Sequence, residues 1–253
     1  MTHIISVINQ KGGVGKTTTA INVASYLQKL GKNVLIVDLD PQGNATSGLG
    51  VDKKLGNTSY EVLMGSVKLS DAIVEIDRLG VSIVPANERL AAAEIDLARE
   101  ERREYKLKES FVGVAYDFVI IDCPPALSLL TVNALTASNW VLIPVQVEYY
   151  ALEGLSQLLA VLQRVRQGLN PDVELLGVVA TMYDARTSLS QQVYDELKKH
   201  FDGKLFSTVV PRNVRLAEAP SYGRTIHEHD KWSKGARSYK QLAKEIEKRV
   251  GER

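Results

Sequence analysis

Residues 7–22 read VINQKGGVGKTTTAIN, a glycine-rich loop between an apolar run and a helix-like stretch. The run Ile4–Ile8 favours a buried strand, and Ala20, Ala24 and Leu27 recur at helical spacing after the loop. A loop in this setting turns backbone N–H groups and the positive end of a helix toward an anion. The stretch therefore predicts a nucleotide phosphate site formed by Gly12, Gly13, Val14, Gly15, Lys16, Thr17 and Thr18.

The loop departs at one position from the usual phosphate-binding pattern, G-x-x-x-x-G-K-[ST]. Gln10 stands where the pattern has its first glycine, and a second lysine, Lys11, follows it. We expect Lys16 to reach the β- and γ-phosphates and the Thr17 hydroxyl to ligate Mg²⁺. Close packing of a helix on a strand is the alternative reason for the glycines. The dinucleotide pattern G-x-G-x-x-G is absent, which disfavours a dinucleotide site.

Short apolar runs rich in β-branched residues recur along the chain, and helix-like stretches follow them. Runs that are apolar throughout are typical of strands buried on both faces of a parallel sheet. Their order predicts an α/β fold, with a doubly wound, mostly parallel sheet flanked by helices. We expect a single domain over residues 1–253. The predicted strands are Ile4–Ile8, Val34–Val37, Val81–Val84, Phe118–Ile121, Val141–Ile143 and Leu175–Ala180.

Two other stretches have a helical pattern. The polar segment Glu88–Glu109 predicts an exposed helix laced with Arg and Glu pairs. The second stretch carries an apolar stripe, which favours packing in the core over a partner site. The stripe consists of Leu152, Leu155, Leu158, Leu159, Leu162, Val165 and Leu169.

The composition is that of an ordinary globular protein, with 45% apolar and 24% charged residues. No apolar stretch approaches the roughly 18 residues that a membrane span needs. The first residues also lack the basic segment of a secretory signal, so we expect a cytoplasmic protein. Cys123 is the only cysteine, which excludes an intramolecular disulfide, and we expect it to be buried and inert.

The net charge of +1 is unevenly distributed. Residues 186–253 hold 15 Lys and Arg against 9 Asp and Glu, a balance of +6. The preceding residues hold 16 against 21, a balance of −5. Such a basic segment could bind nucleic acid or anionic lipid, and a solvated helical surface is the alternative.

Acidic residues end two of the predicted strands. Asp38 and Asp40 lie at the end of the second strand, and Asp122 follows the fourth. Carboxylates at the carboxyl ends of parallel strands lie beside the ligand in such sheets. We expect one of them to hold Mg²⁺ and another to orient the attacking water. Capping of a following turn is the alternative for any single aspartate.

The stretch KGGVGKTT resembles the deviant Walker A loop of the ParA/MinD group of ATPases. Four further stretches resemble the ParA or Soj chromosome-partitioning branch: VDLDPQGNATSGLG, IIDCPPALSLLTVNALTAS, PVQVEYYALEGLSQL and VVPRNVRLAEAPSYG. The resemblance implies a P-loop NTPase-like fold, ATP and Mg²⁺ as cofactors, and a homodimer that forms with ATP. It also implies that Lys11 reaches across this dimer to the phosphates of the partner's nucleotide, so ATP binding and dimerisation become one event.

The same resemblance implies roles for other residues. Asp122 would be the Walker B or switch II carboxylate, Asp40 the switch I residue that positions water or metal, and Asp38 a support of the metal shell. Pro211 and Asn213 would contact the adenine, although a plain turn is the alternative. Glu148 would approach the ribose or the dimer partner.

The resemblance also implies a purpose for the ATPase. The ATP dimer would bind nonspecific double-stranded DNA, with Arg186 and Arg215 at DNA-contacting positions, and a ParB-type centromere-binding protein would stimulate hydrolysis. The protein would then be associated with the nucleoid. A MinD-like membrane switch is the alternative, but the final helix from Lys240 onward lacks bulky aromatics and has interspersed glutamates. We expect its apolar face, Leu242, Ile246 and Val250, to pack on its own domain, with no membrane partner.

Overall fold

A computed structural model describes residues 2–148 and 154–252. Within these residues, seven strands form one sheet in the order β3-β4-β2-β5-β1-β6-β7. All neighbouring strands pair in parallel except β3, which runs antiparallel to β4 at the edge of the sheet. The predicted fold class is confirmed. The strands are β1 His3–Val7, β2 Val34–Asp38, β3 Val74–Ile76, β4 Val81–Val84, β5 Phe118–Asp122, β6 Trp140–Gln146 and β7 Glu174–Thr181.

Helices cover both faces of the sheet. The longer ones are α1 Lys16–Lys29, α7 Leu129–Ala137, α8 Leu155–Gly168, α9 Ser188–His200 and α12 Lys234–Gly251. The shorter ones are α2 Asn44–Gly48, α3 Ser59–Leu63, α4 Leu69–Ala72, α5 Ala93–Asp96, α6 Lys106–Ser110, α10 Val214–Glu218 and α11 Ile226–Asp230. Single 3₁₀ turns lie at Glu88–Ala92, Leu97–Arg99, Arg103–Tyr105 and Ala219–Tyr222.

The strands are apolar throughout because both of their faces are buried. Along β2, Val34 and Ile36 belong to one apolar cluster, whereas Leu35 and Val37 belong to the cluster on the opposite face. Helices α1 and α12 contribute to the first cluster, and α7 and α8 contribute to the second. Side chains alternate between faces along a strand, so each run needs apolar residues on both of its faces.

The parallel register brings the carboxyl ends of β1, β2 and β5 side by side. Val7 is paired with Asp122, and Asp38 is paired with Asp122 from the other side. The loop that follows β1 therefore begins directly beside both aspartates. Ligands bind at this edge of open α/β sheets, at the point where the strand order reverses.

The prediction for the polar segment Glu88–Glu109 is wrong. The segment is a series of short 3₁₀ and α turns rather than one exposed helix. It cannot run on as a single helix, because Arg102 has a left-handed backbone with φ of 53°. Four of its apolar side chains, Leu90, Ala93, Leu97 and Leu107, are buried in the core and fix the turns. Ion pairs do lie on its surface, as between Arg102 and Glu109 at 2.9 Å.

The prediction for the leucine stripe is confirmed within the described residues. Leu155, Leu158, Leu162 and Val165 are buried on one face of α8, and Leu152 lies outside the described residues. The short antiparallel strand β3 was not predicted, because three residues at an edge carry no recognisable apolar run.

The final helix also packs as predicted. Leu242, Ile246 and Val250 of α12 are buried in the same cluster as Val23 and Leu27 of α1. The apolar face of α12 is therefore part of the core. Among the described residues, none of the helices combines the length and the hydropathy needed to cross a membrane.

Candidate nucleotide site

The loop between β1 and α1 has the backbone of an anion cradle. Gly13 and Gly15 have φ of 74° and 91°, values that side chains rarely tolerate. Gly15 caps α1, and the first turn of this helix has no side-chain cap among the described residues. Val14 is buried, and its carbonyl accepts a hydrogen bond of 2.8 Å from the Thr181 hydroxyl at the end of β7. The Thr181 hydroxyl thus anchors the loop, and the N–H groups at the start of α1 are left without a side-chain cap within the described part of the chain.

Lys16 lies inside this cradle. Its side chain is buried, and its Nζ donates a hydrogen bond of 3.1 Å to the Lys11 carbonyl. Burial lowers the pKa of Lys16, while the carboxylates of Asp122 and Asp40 act in the opposite direction. An ammonium held over the loop by a single carbonyl is placed to meet a second, stronger anionic partner.

Asp122 is fully buried, and neither of its carboxylate oxygens has a hydrogen-bond partner among the described residues. Burial raises the pKa of Asp122 well above its ordinary value, and the Asp38 carboxylate adds to the rise. Smaller effects of the Thr17 hydroxyl and the Lys16 ammonium oppose it. Orphaned carboxylate oxygens beside a threonine hydroxyl form a hard oxygen donor set, which is the kind that Mg²⁺ requires. The residues present therefore fit a magnesium ion.

The other two aspartates are held differently. Asp38 Oδ2 accepts hydrogen bonds from the Thr46 N–H at 2.8 Å and the Thr46 hydroxyl at 2.7 Å, and its Oδ1 accepts one from the Asp40 N–H at 3.1 Å. Burial raises the pKa of Asp38 to about 6 despite these bonds. Asp40 Oδ1 accepts a hydrogen bond from the Gln42 N–H at 2.9 Å. Asp38 thus fixes the turn that presents Asp40, while both of its own oxygens are already used.

Lys11 points away from the interior of the loop. Its side chain is 44% exposed, and its Nζ lies 3.7 Å from Glu148 Oε2. Arg212 Nη2 lies 3.5 Å from the other oxygen of the same carboxylate. The backbone N–H of Lys11 is fixed by a hydrogen bond of 3.0 Å to Asn9 Oδ1. The two lysines of the loop therefore face different surroundings, one buried and one open to solvent.

A cavity of about 340 Å³ adjoins the first turn of α1. Its walls include Thr18 from the loop side and Pro211 and Asn213, the two residues predicted to contact adenine. Asn213 caps α10, because its Oδ1 accepts a hydrogen bond of 3.3 Å from the Leu216 N–H. Another wall is Met182, which has a left-handed backbone with φ of 52°. Mostly apolar walls with a few polar groups are typical of a base pocket.

The two arginines predicted to contact DNA lie outside this cavity, on the surface. Arg186 is highly exposed, and its Nη2 lies 2.7 Å from Asp184 Oδ2. This guanidinium lowers the pKa of Asp184. Arg215 Nη1 lies 2.9 Å from Glu218 Oε2. Both charges are accessible from solvent, although each is paired with an acid.

Sequence reasoning missed several residues that shape the site. Thr181 and Met182 come from the end of β7, far along the chain from the loop that they touch. Thr46 supports Asp38, and Asn9 supports Lys11. Only the position of Asn9 directly before the glycine loop could have marked it. The remaining contacts depend on tertiary structure and leave no local pattern.

A glycine loop at the strand-to-helix junction of a parallel sheet, with its lysine buried beside an unpaired aspartate, defines the class of P-loop nucleotide-binding proteins. Comparison with protein families agrees, since residues 2–175 match the model of the AAA domain family AAA_31.

Curated relatives narrow this class. The chromosome-partitioning ATPase Soj of Thermus thermophilus is 54% identical over 98% of the chain and 96% of its own length. The sporulation initiation inhibitor protein Soj of Bacillus subtilis is 52% identical over 97% of the chain and 98% of its own length. The chain belongs to the Soj/ParA family of chromosome-partitioning ATPases, as the sequence predicted.

Solved structures show the same fold. A cobyrinic acid a,c-diamide synthase from Mycobacterium smegmatis, with bound ADP and magnesium, has a TM-score of 0.85 and 40% identity over 96% of the chain and 93% of its own. The septum site-determining protein MinD of Pyrococcus horikoshii, complexed with Mg-ADP, has a TM-score of 0.80 and 29% identity. It covers 99% of the chain, and 98% of its own chain is matched.

Proposed function

We propose that the protein is a Mg²⁺-dependent ATPase that dimerises with ATP, binds nonspecific duplex DNA as that dimer, and acts in chromosome or plasmid partition. The contrast between its two loop lysines carries this proposal. Lys16 is buried in its own phosphate cradle, whereas the Lys11 side chain is 44% exposed and, among the described residues, forms an open ion pair with Glu148. Because Lys16 already supplies the cation for the phosphates of its own chain's nucleotide, Lys11 is available to bind a second triphosphate.

Each chain supplies residues for four tasks: binding the phosphates, holding Mg²⁺, orienting the attacking water and binding the adenine. The loop N–H groups and Lys16 bind the β- and γ-phosphates, and Thr17 and Asp122 would hold Mg²⁺. When bound, this ion neutralises phosphate charge and orients the triphosphate. We assign Asp40, which lies in the turn that Asp38 fixes, the role of orienting the attacking water. Pro211 and Asn213 wall the cavity that would receive the adenine.

Dimerisation follows from the position of Lys11. A cation supplied across an interface stabilises the charge of a partner's triphosphate, as arginine fingers do in other nucleotide hydrolases. The attraction exists only when nucleotide is bound, so the stability of the dimer depends on ATP. To reach across, Lys11 has to leave Glu148, and this surface pair is worth only about 1 kcal/mol or less. The exchange is therefore favourable.

Light scattering of Lys11→Ala with ATP and Mg²⁺ tests this step. We expect the variant to bind ATP and remain a monomer, because its own cradle is intact. Lys29→Ala removes another lysine, at the far end of α1, and should dimerise like the wild type. A normal ATP dimer of Lys11→Ala would overturn the role of Lys11 across the interface.

DNA binding is proposed from the basic segment 186–253 and from the family. A monomer offers few cations, whereas a dimer aligns two basic surfaces along one duplex and multiplies the phosphate contacts. Affinity should therefore rise with ATP, fall steeply with salt and show little sequence preference. We place Arg186 and Arg215 at this surface, where contact with DNA would replace their present pairs with Asp184 and Glu218.

The experiment is a salt series of duplex binding with ATP and with ADP. Arg186→Glu and Arg215→Glu should weaken DNA binding and leave ATP affinity unchanged. Arg102→Glu is the matched control, because Arg102 is an exposed, acid-paired arginine outside the basic segment. Equal binding in both nucleotide states would refute the DNA switch, as would ATP-dependent attachment to anionic liposomes in place of DNA.

A ParB-type centromere-binding protein is the proposed partner that stimulates hydrolysis. The family supports this partner, and association with the nucleoid follows from nonspecific DNA binding. Adding such a partner should raise the ATPase rate of the wild type in the presence of DNA. A rate that stays unchanged with the cognate partner would remove this part of the proposal.

A further inference from the structure

Two aromatic side chains stand out on the surface of the basic segment. Trp232 is 77% exposed and Tyr222 is 66% exposed, whereas the other tryptophan, Trp140, is 5% exposed. The Lys231 ammonium lies 5.2 Å from the centre of the Trp232 ring. Tyr222 stacks on His229 with ring centres 5.2 Å apart and an angle of 25° between the planes. Tyrosine and tryptophan combine a large apolar area with a polar group, and both are enriched at binding interfaces.

A polar network centred on Arg215 connects to both aromatics, to Tyr222 through the His229 ring and to Trp232 through its backbone. His229 Nε2 lies 3.4 Å from Glu218 Oε2, and Arg215 Nη1 lies 2.9 Å from the same oxygen. Arg215 Nε lies 3.9 Å from Asp230 Oδ2, and the backbone N–H of Trp232 donates a hydrogen bond of 3.1 Å to Asp230 Oδ1. Trp232 therefore belongs to the same surface as the arginine predicted to contact DNA.

The helix that follows Trp232 continues this surface. The solvent-exposed face of α12 carries five cations at helical spacing and no acid: Lys234, Arg237, Lys240, Lys244 and Lys248. Three acids lie near this face: Glu245 and Glu247 at its borders, and Glu252 just after the helix, whose Oε1 lies 3.7 Å from Lys248 Nζ. Glu245 accepts hydrogen bonds from Ser207 and Thr208, and Glu247 pairs with Lys32 at 2.9 Å.

This cationic stripe has the length of a short DNA site. From Lys234 to Lys248 the helix rises about 21 Å, at roughly 1.5 Å per residue. Successive phosphates of one DNA strand are spaced by about 3.4 Å along the axis, so the stripe matches about six of them. A row of like charges on this scale is complementary to a regular polyanion.

We propose that Trp232 is an aromatic contact of the DNA surface formed by Arg215 and the stripe on α12. Its indole packs on the sugars and base edges of the duplex while the lysines and arginines bind the phosphates. The inference rests on the proposed DNA binding and assigns it a component that is not ionic. A lipid surface is a poorer match, because the apolar face of α12 is buried in the core and cannot enter a bilayer.

Salt separates the two kinds of contact. Each phosphate contact releases counterions, so losing one cation lowers the slope of log affinity against log salt by about 1. An aromatic contact releases no counterion. Trp232→Ala should therefore weaken binding about tenfold at every salt concentration and leave the slope unchanged, a loss within the range of single aromatic contacts. Trp232→Phe should retain most of the affinity, and Lys240→Gln should lower the slope.

The protein contains its own reporter for this contact. Trp140 is buried and Trp232 is exposed, so the emission that changes on contact with DNA is that of Trp232. The full chain is titrated with a 24-base-pair duplex of mixed sequence, with ATP and Mg²⁺ and with ADP. We expect quenching with ATP only, and no quenching in Trp232→Phe, whose emission comes from Trp140 alone. Ile95→Ala removes an equally exposed apolar side chain outside the basic segment and should bind DNA like the wild type.

The anisotropy of labelled duplex, recorded in the same titration, separates the two hypotheses. If the wild type binds the duplex with ATP but its tryptophan emission and the affinity of Trp232→Ala are unchanged, the aromatic contact is refuted while the DNA switch stands. If the wild type binds no duplex in either nucleotide state, the proposed function fails and the contact fails with it. Quenching by phosphatidylglycerol vesicles, with none by duplex, would assign Trp232 to lipid and overturn the inference.

Discussion

Replacing Asp122 by asparagine should stabilise the nucleotide-free protein and abolish its response to Mg²⁺. The carboxylate is fully buried, and neither oxygen has a hydrogen-bond partner among the described residues. Its burial is the largest cause of the raised pKa, larger than the opposing effects of Thr17 and Lys16. Folding therefore disfavours the ionised form of Asp122 relative to the unfolded chain. An amide of the same shape carries no such cost.

The magnitude is bounded by pH. If the fold kept the carboxyl fully protonated at pH 7, against an ordinary pKa of 3.8, the cost would be about 4 kcal/mol at ~1.36 kcal/mol per unit, which is the upper bound. We expect the variant to recover about 1–4 kcal/mol, since the buried amide also lacks partners. The unfolding entropy is about 2.1 cal/mol/K per residue, so in a chain of 253 residues 1 kcal/mol moves Tm by about 2 °C. The expected gain is about 2–8 °C.

The sign of the pH dependence follows from the raised pKa. Below the unfolded pKa both states are protonated, and the advantage of the variant is small. It should grow as the pH rises from about 4 toward neutrality, because the unfolded chain ionises while the folded carboxyl resists. Thermal scans in EDTA at several pH values measure this trend. A Tm below that of the wild type, or a difference that does not change between pH 5 and 7, would refute the reasoning.

Ligand and control complete the test. With ATP and Mg²⁺ the order should reverse, because the wild type gains an ion at Asp122 and the variant does not. Asp40→Asn is the matched control. The Gln42 N–H that bonds to Asp40 can bond equally to an amide oxygen, so the Tm without nucleotide should stay within about 1 °C, or ~0.5 kcal/mol.

Three further predictions concern the loop, the chemistry and the fold. Lys16→Ala should abolish ATP binding in calorimetry, because it removes the cation held inside the cradle; unchanged affinity would refute the site. Asp40→Ala should bind ATP, dimerise and stay on DNA while hydrolysing poorly, and wild-type turnover would transfer its role to another residue. Gly223→Ala should lower the free energy of unfolding by about 1–3 kcal/mol, and the urea midpoint with it, because its φ is 62° and a Cβ would lie 2.8 Å from Gly50 Cα. An unchanged urea midpoint would mean that the backbone around Gly50 moves at no cost to make room for the Cβ.

The sheet could be predicted from sequence because each central strand is buried on both faces. Ile4–Ile8 is displaced by one residue at each end from the observed His3–Val7, and Phe118–Ile121 ends one residue before the observed strand. The polar segment Glu88–Glu109 could not be predicted in the same way. Charged residues dominate it, yet a few buried apolar side chains decide its path, and a left-handed residue at Arg102 interrupts it.

The phosphate loop was predictable because its chemistry is local. Backbone N–H groups, Lys16 and Thr17 all come from one short stretch. The aspartates were predictable as strand ends, but their differing states were not. Whether a carboxylate is satisfied, as Asp38 is by Thr46, or orphaned, as Asp122 is, depends on contacts that only the fold creates.

Helix α10 contributes residues both to the cavity proposed for adenine and to the surface proposed for DNA. Val214 and Leu216 line the cavity proposed for adenine, and Arg215 between them points to the surface network with Glu218. The Asn213 side chain that would meet the base also caps this helix. A helix of five residues is too short to absorb a change at one end internally. If the base binds at Asn213 as proposed, the contact would reach Arg215 within one helical turn, and DNA binding could depend on nucleotide without a long pathway.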